Sequence, residues 1–173
     1  MLTGARRSEV ADARWSEIDL KKKLWSIPPE RMKANAAHIV PLSDAAMAVL
    51  MSLPHLQRGD YLFSTTLGVK PVNSFDKAKK RLDAAMMQLL DDFPDFVVHD
   101  LRRTVRTGLS AIPNVSDLVR ELVIGHTKPG LHKVYDQYAY LDEKRFALDS
   151  WAARLRGIVS PKADNVVELR TAQ

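Results

Sequence analysis

The sequence predicts a mostly α-helical fold with one small antiparallel β-sheet near the N-terminus, an α+β arrangement. Three observations carry this. Apolar residues recur at helical spacing in several separate segments. Only the stretch Asp19 to Leu42 breaks that rhythm, with two short β-like runs around a polar turn. No internal repeat, low-complexity tract or evident linker divides the 173 residues, a length that suits one domain and a real core.

Taken in order, Arg7 to Ala13 reads as a short helix with Val10 and Ala13 on one face. Leu24 to Pro28 and His38 to Leu42 read as a hairpin or small sheet, with the polar stretch Pro29 to Ala37 between them. Ser43 is a candidate N-cap for an apolar helix through Met47, Leu50 and Met51. After a loop marked by Gly68 and Pro71, Phe75, Ala78, Leu82, Met86 and Leu89 outline one helix face, with Lys77, Lys80 and Arg81 opposite. Asp100 to Leu109 continues as helix. Ser116 is placed to cap Asp117 to Ile124, which Gly125 stops. A last helix, Asp142 to Leu155, carries Leu148, Trp151, Ala152 and Leu155 on one stripe. The expected division is a domain over 1–158 and a detachable tail over 159–173, in which Asn165 to Leu169 could form a strand needing a partner.

Composition narrows the function. A hydrophobic fraction of 46% and a charged fraction of 27% are those of a soluble globular protein. The net charge of +5 favours an acidic partner, nucleic acid before an anionic membrane. The absence of cysteine rules out disulfides, thiolate metal sites and cysteine nucleophiles, and it suits a reducing compartment. No apolar run approaches the ~20 residues of a membrane span, and the opening MLTGARRSEV has no signal-peptide stretch. The expected setting is cytoplasmic, without a membrane.

A few polar residues far apart in sequence fit one chemistry: Arg6, Lys33, His99, Arg102, His126 and Tyr135. Singly, each is ordinary. His99 and Arg102 share a helix face, as many solvated pairs do. His126 follows a helix-stopping glycine, and Lys33 sits in a polar turn. Arg6 and Arg7 open a helix where the dipole disfavours cations, a weak hint of a nearby anion. Together they form a kit for attacking a phosphodiester. Guanidinium forks match the equatorial oxygens of the transition state and stay charged at any working pH. A tyrosine is only about one part in a thousand phenolate at neutral pH, so it needs adjacent positive charge and a base. An alkoxide leaving group needs a general acid, which a lysine can be. No carboxylate cluster suited to Mg²⁺ is evident, and no metal or other cofactor is expected.

The order Thr3-Gly4-Ala5-Arg6-Arg7-Ser8-Glu9, a hairpin lysine, His99-Asp100-Leu101-Arg102, Gly125-His126, and a tyrosine nine residues later resembles the catalytic domain of the tyrosine recombinases, the phage integrase family. Arg14-Trp15-Ser16-Glu17-Ile18-Asp19 and Val40-Pro41-Leu42-Ser43 are similar to phrases of that family. Tyr140-Leu141-Asp142-Glu143-Lys144-Arg145 with Trp151-Ala152 is similar to integrases of the genomic-island type. The resemblance runs from Leu2 to about Leu155. It implies that Arg6 and Arg102 clamp the scissile phosphate, that Lys33 protonates the departing 5′ oxygen, and that His99 takes the nucleophile's proton. It implies further that His126 hydrogen-bonds the phosphate, Tyr135 attacks, and Glu9 supports Arg6. Tyr138 and Tyr140 stay open as alternative nucleophiles.

The same resemblance implies bacterial, nucleoid-associated work on double-stranded DNA. Candidate DNA contacts are Arg31, Lys77, Lys80, Arg103, Arg106, Lys128 and Lys133, beside Lys33. A tetramer on DNA is expected, with Asn165 to Leu169 as a segment that could pair in trans. It also implies an upstream helix and core-binding domain that are not in this sequence, so an inactive DNA-binding fragment is a competing reading. DNA relaxation of the type IB topoisomerase kind is another.

Overall fold

The computed structural model describes residues 1–56, 58–126 and 139–161. Six α-helices are present among them: α1 (Arg7–Ala11), α2 (Asp44–Met51), α3 (Phe75–Met87), α4 (Val98–Ser110), α5 (Asp117–Val123) and α6 (Leu141–Val159). A single antiparallel sheet has the order β1 (Ile18–Asp19), β2 (Leu24–Ile27), β3 (His38–Pro41). The α+β expectation therefore holds, with one short strand, β1, added to the hairpin.

The sheet follows from alternation. Trp25 and Ile27 are buried while Ser26 between them is exposed. Trp25 pairs with Val40 and Ile27 with His38, so the two strands turn their apolar side chains to the same face. Pro41, which cannot donate to a ladder, closes β3 on the sheet edge. That face meets Val105 and Leu109 of α4, Val119 and Val123 of α5, and Ala147, Leu148 and Trp151 of α6 in one continuous core. Burying side chains of this size contributes about 1.5–3 kcal/mol each.

Two helix starts are set by serine hydroxyls, as expected. Ser43 Oγ accepts from the Ala46 amide at 3.3 Å, and Ser116 Oγ accepts from Val119 at 3.3 Å. Gly108 in mid-helix lets Trp151 lie against the α4 backbone: a Cβ there would come within 2.1 Å of the indole ring. The helix-propensity cost of that glycine, about 1 kcal/mol, is offset by enclosing the indole, whose Nε1 donates to the Met1 carbonyl at 3.2 Å.

The first helix ends earlier than its apolar spacing suggests, at Ala11, and the last runs on to Val159. The face assigned to α3 is corrected. Ala78, Leu82 and Leu89 are exposed, and no residue of α3 is buried. Of the expected stripe only Phe75 and Met86 are half-buried, and Lys79 and Asp83 share that side with them. Arg7 lies 4.7 Å over the Phe75 ring, and Lys79 lies 4.1 Å over Phe96 while bonding Asp83 at 2.6 Å. Cation–π contacts and an ion pair hold this helix, and helical periodicity cannot reveal those. The tail segment Asn165 to Leu169 lies outside the described residues.

Candidate active site

Gly4 begins the site. Its φ of +63° is a left-handed value that suits glycine. A Cβ would sit 3.2 Å from the Ile124 side chain and 3.3 Å from that of Val105. This close approach brings the Gly4 carbonyl to Arg102, whose Nη1 donates to it at 2.7 Å. Nη2 of the same guanidinium donates to the Ile124 carbonyl. Arg102, only 7% exposed, thus ties the Thr3-Gly4 turn to the end of α5.

Arg6 follows as the residue before α1. The cation that sits badly at a helix start is compensated by buried Glu9. One carboxylate oxygen accepts from the Arg6 amide at 2.7 Å, and the other pairs with Arg6 Nη1 at 2.5 Å. Burial first, and Arg6 second, push the Arg102 guanidinium below its ordinary pKa. Two cations held this close make a place that an anion would relieve.

His99 lies in the first turn of α4, exposed. It lines a cleft of about 210 Å³ together with Arg6 and Arg102. Three of the expected site residues therefore meet, from segments 93 or more positions apart. Asp100 caps α4 by accepting from the Val97 amide at 2.9 Å, and it pairs with Arg103 at 2.9 Å. The middle of His99-Asp100-Leu101-Arg102 thus fixes the helix that carries the other two.

His126 is placed by a left-handed stop. Gly125 has φ +71°, its amide donates to Leu122 O at 3.1 Å, and the His126 amide donates to Glu121 O at 3.0 Å. The imidazole Nδ1 contacts the Glu121 carboxylate and the ring is exposed. Burial raises the Glu121 carboxyl, but hydrogen bonds from Arg106 and His126 outweigh it and hold the group below its usual value.

Lys33 stands in the exposed turn between β2 and β3 and is not among the residues lining the cleft. Tyr135, Tyr138, Lys128 and Lys133 lie outside the described residues. Tyr140 is half-buried, packs against the core, and its carbonyl accepts from the Lys144 amide at 3.0 Å.

The expected DNA-contact residues divide. Lys77 and Lys80 are exposed on α3, and Lys80 lines a second cleft of about 690 Å³ that also includes Arg6, Arg7 and His99. Arg103 is exposed beside Asp100. Arg31 and Arg106 are half-buried and committed to partners within the chain. Arg31 pairs with Glu17 and donates to the Glu9 carbonyl at 2.5 Å. Arg106 binds Glu121 at 2.6 Å and Ser110 at 2.9 Å, and also Asp117.

Two titratable residues not given a role in the sequence reading are buried. Lys144 is buried, and its Nζ donates to Ile39 O at 2.7 Å; burial lowers its pKa to about 8. His38, packed under Gly125, is lowered to about 4, by burial first and Lys144 second. Neither reads in sequence as more than a surface charge and a strand residue. Among the described residues no group of three or more His, Cys, Asp or Glu could hold a metal ion, and no helix is long and apolar enough to cross a membrane.

Comparison with known proteins places the chain in a family. The phage integrase family model matches residues 1–140. The chain is 33% identical over 156 residues to the prophage integrase IntA of Escherichia coli (strain K12), covering 88% of this chain and 36% of that protein. It is 28% identical over 163 residues to the prophage integrase IntZ of the same organism, covering 92% and 39%. The chain thus spans less than two-fifths of the length of these relatives. Among solved structures, the Tn1549 transposon integrase in complex with a circular intermediate DNA shares the fold. The TM-score is 0.60 at 15% identity, covering 86% of this chain and 55% of that one.

Proposed function

The chain belongs to the phage integrase family, and on that premise we propose that residues 1–158 are the catalytic domain of a site-specific recombinase. It cleaves and rejoins double-stranded DNA through a 3′-phosphotyrosine. The observation that carries this reading is the cleft in which Arg6, Arg102 and His99 converge, with Glu9 behind Arg6.

The chemistry follows from the donors left free. Arg102 spends two of its five N–H groups on the Gly4 and Ile124 carbonyls, and the others can meet the non-bridging oxygens beside Arg6. Fixed donors at charge that develops in the transition state are worth about 10²–10³ in rate each. Tyr135 Oη attacks phosphorus and passes its proton to His99. The bond to the 5′ oxygen breaks, and Lys33 protonates that oxygen. His126 donates a hydrogen bond to the phosphate. The phosphotyrosine conserves the energy of the broken bond, so a 5′-hydroxyl from another strand can displace the tyrosine without ATP. Lys33, in its exposed turn, has to fold over the bound strand to act. Lys77, Lys80 and Arg103, with Lys128 and Lys133, contact backbone phosphates, which position a duplex without reading it. On DNA the chain assembles as a tetramer through its tail, acting in the bacterial cytoplasm.

A duplex nicked next to the cleavage point traps the covalent intermediate, because the short product diffuses away. The wild-type chain is expected to form an adduct, and Tyr135→Phe none. Adducts that persist in Tyr135→Phe and vanish in Tyr138→Phe or Tyr140→Phe would move the nucleophile. No adduct from the wild-type chain would leave a DNA-binding fragment. Light scattering with and without DNA, for the full chain and for one ending at Ile158, tests the tail: equal assembly of both removes it from the interface.

A further inference from the structure

We propose that Glu121 is a positioning residue for His126, and that Arg106 is the residue that holds Glu121. The proposal rests on the assignment of His126 to the phosphate. His126 lies beyond the end of α5 with an exposed ring, where an imidazole would ordinarily sample several rotamers. Here Glu121 anchors it twice. Its backbone carbonyl accepts the His126 amide at 3.0 Å, and its carboxylate contacts Nδ1. The first anchor exists only because Gly125 adopts a left-handed φ of +71° and turns the chain back over the last turn of α5.

The carboxylate does not float. Its other oxygen accepts from Arg106 Nε at 2.6 Å. Arg106 is committed on all sides, with Nη1 donating to Ser110 Oγ at 2.9 Å and Nη2 pairing with Asp117. Arg106 also lies one helical turn past Arg102 on α4. One helix therefore fixes both an arginine of the cleft and, through Glu121, the second histidine. This gives Arg106 a use that contact with DNA would break.

The chemical consequence concerns protons. A nitrogen facing a carboxylate must carry hydrogen, so Nδ1 is the protonated position. A neutral ring then offers only a bare Nε2 lone pair, which repels a phosphate oxygen. With Nδ1 turned to Glu121, His126 donates to phosphate through Nε2 only as the doubly protonated ring. Among the described residues, the charged groups around this contact are Glu121 and Asp117 on α5 and Arg106 and Arg102 on α4.

The test uses the chain with ¹⁵N-labelled histidine. Magnetic resonance identifies which ring nitrogen of His126 carries the proton, in wild type, Glu121→Gln, Glu121→Ala and Arg106→Gln. Nδ1 is expected to be protonated in wild type and to give way to Nε2 in Glu121→Ala. Adduct formation on the nicked duplex should fall on the order of 10-fold in Glu121→Ala, because a ring freed of its anchor no longer holds Nε2 towards the phosphate even when that nitrogen carries hydrogen. In Glu121→Gln the preference for hydrogen on Nδ1 should weaken, since a neutral amide can meet either a bare or a protonated nitrogen. Glu121→Gln keeps the side-chain shape, so it carries the test if Glu121→Ala does not fold. Unchanged ring protonation and a wild-type rate in the Glu121 variants, with His126→Ala still impaired, overturn the proposal. A wild-type rate in His126→Ala instead overturns the assignment of His126 itself.

Discussion

The inner and outer halves of the site are built differently. On the inner side, Arg6 and Arg102 are held by Glu9 and by two backbone carbonyls, and Glu9 and Arg102 are nearly enclosed. On the outer side, Lys33, His99 and His126 are exposed, and Lys33 stands apart on its turn. The groups that would hold the phosphate are in place before DNA arrives. Lys33 and His99, the groups that would move protons, are at the surface, where a bound strand can engage them, as is His126, which would donate to the phosphate. Positioning charge in advance removes reorganisation at the moment of reaction. A proton donor, by contrast, is useful only once its acceptor is present.

The largest break in this contrast is expected at Arg102. Arg102→Ala would leave the buried Gly4 and Ile124 carbonyls without donors, a loss on the order of 3 kcal/mol of stability, and lower adduct formation by about 10²–10³. Arg102→Lys should recover little of either, since one ammonium cannot serve two carbonyls and a phosphate. Denaturant titration and the nicked duplex read the two effects separately. Lys33→Ala comes next, with no loss of stability and a rate loss on the order of 10². If Lys33 is the general acid, that loss should nearly vanish on a duplex whose leaving 5′ oxygen is replaced by sulfur, a better leaving group. A loss that persists there would place Lys33 in DNA binding alone.

A third effect is a matter of pH. His38 sits neutral beneath Gly125, with a folded pKa of about 4 against an ordinary 6.5. Between those values the unfolded chain binds more protons than the folded one. This contribution is therefore complete above pH 6.5 and is lost as pH falls towards 4. It amounts to about 3 kcal/mol for one group. Denaturation midpoints of wild type and His38→Phe, compared across that window, should show a shallower acid loss in the variant. Equal slopes would mean that His38 is not the group responsible. The smallest effects belong to the surface lysines. Lys80→Ala should weaken duplex binding a few-fold and lower the salt slope by about one unit. A wild-type slope would remove α3 from the DNA-binding face.

What was legible in the sequence depended on distance along the chain. The caps at Ser43 and Ser116 and the stop at Gly125 are local events and were readable. The helix at Phe75 was readable as a period, and Phe75 and Met86 do face inward, but the place of Lys79 beside them was not readable, because cations on aromatic rings share that side. Arg6, His99 and Arg102 could be named from their residue types and order. The carbonyls that hold Arg102 come from positions 98 and 22 residues away, and no local pattern announces them. Arg31 and Arg106 looked like any basic residue on a DNA-binding protein. Their carboxylate partners, brought near by folding, engage both. Lys144 was hidden in the same way, its acceptor lying 105 residues earlier.

The central claim is that Arg6 and Arg102 act on the negative charge of one phosphate. It is tested most directly by removing that charge from the DNA. Once the cleavage point is mapped, adduct formation is measured on nicked duplexes carrying either the normal phosphodiester or an uncharged methylphosphonate there. On the phosphodiester, Arg6→Ala should be slower than wild type by about 10²–10³. On the methylphosphonate, wild type and variant should converge to within a few-fold. If the variant keeps its full deficit on the uncharged linkage, the two arginines do not act through that phosphate.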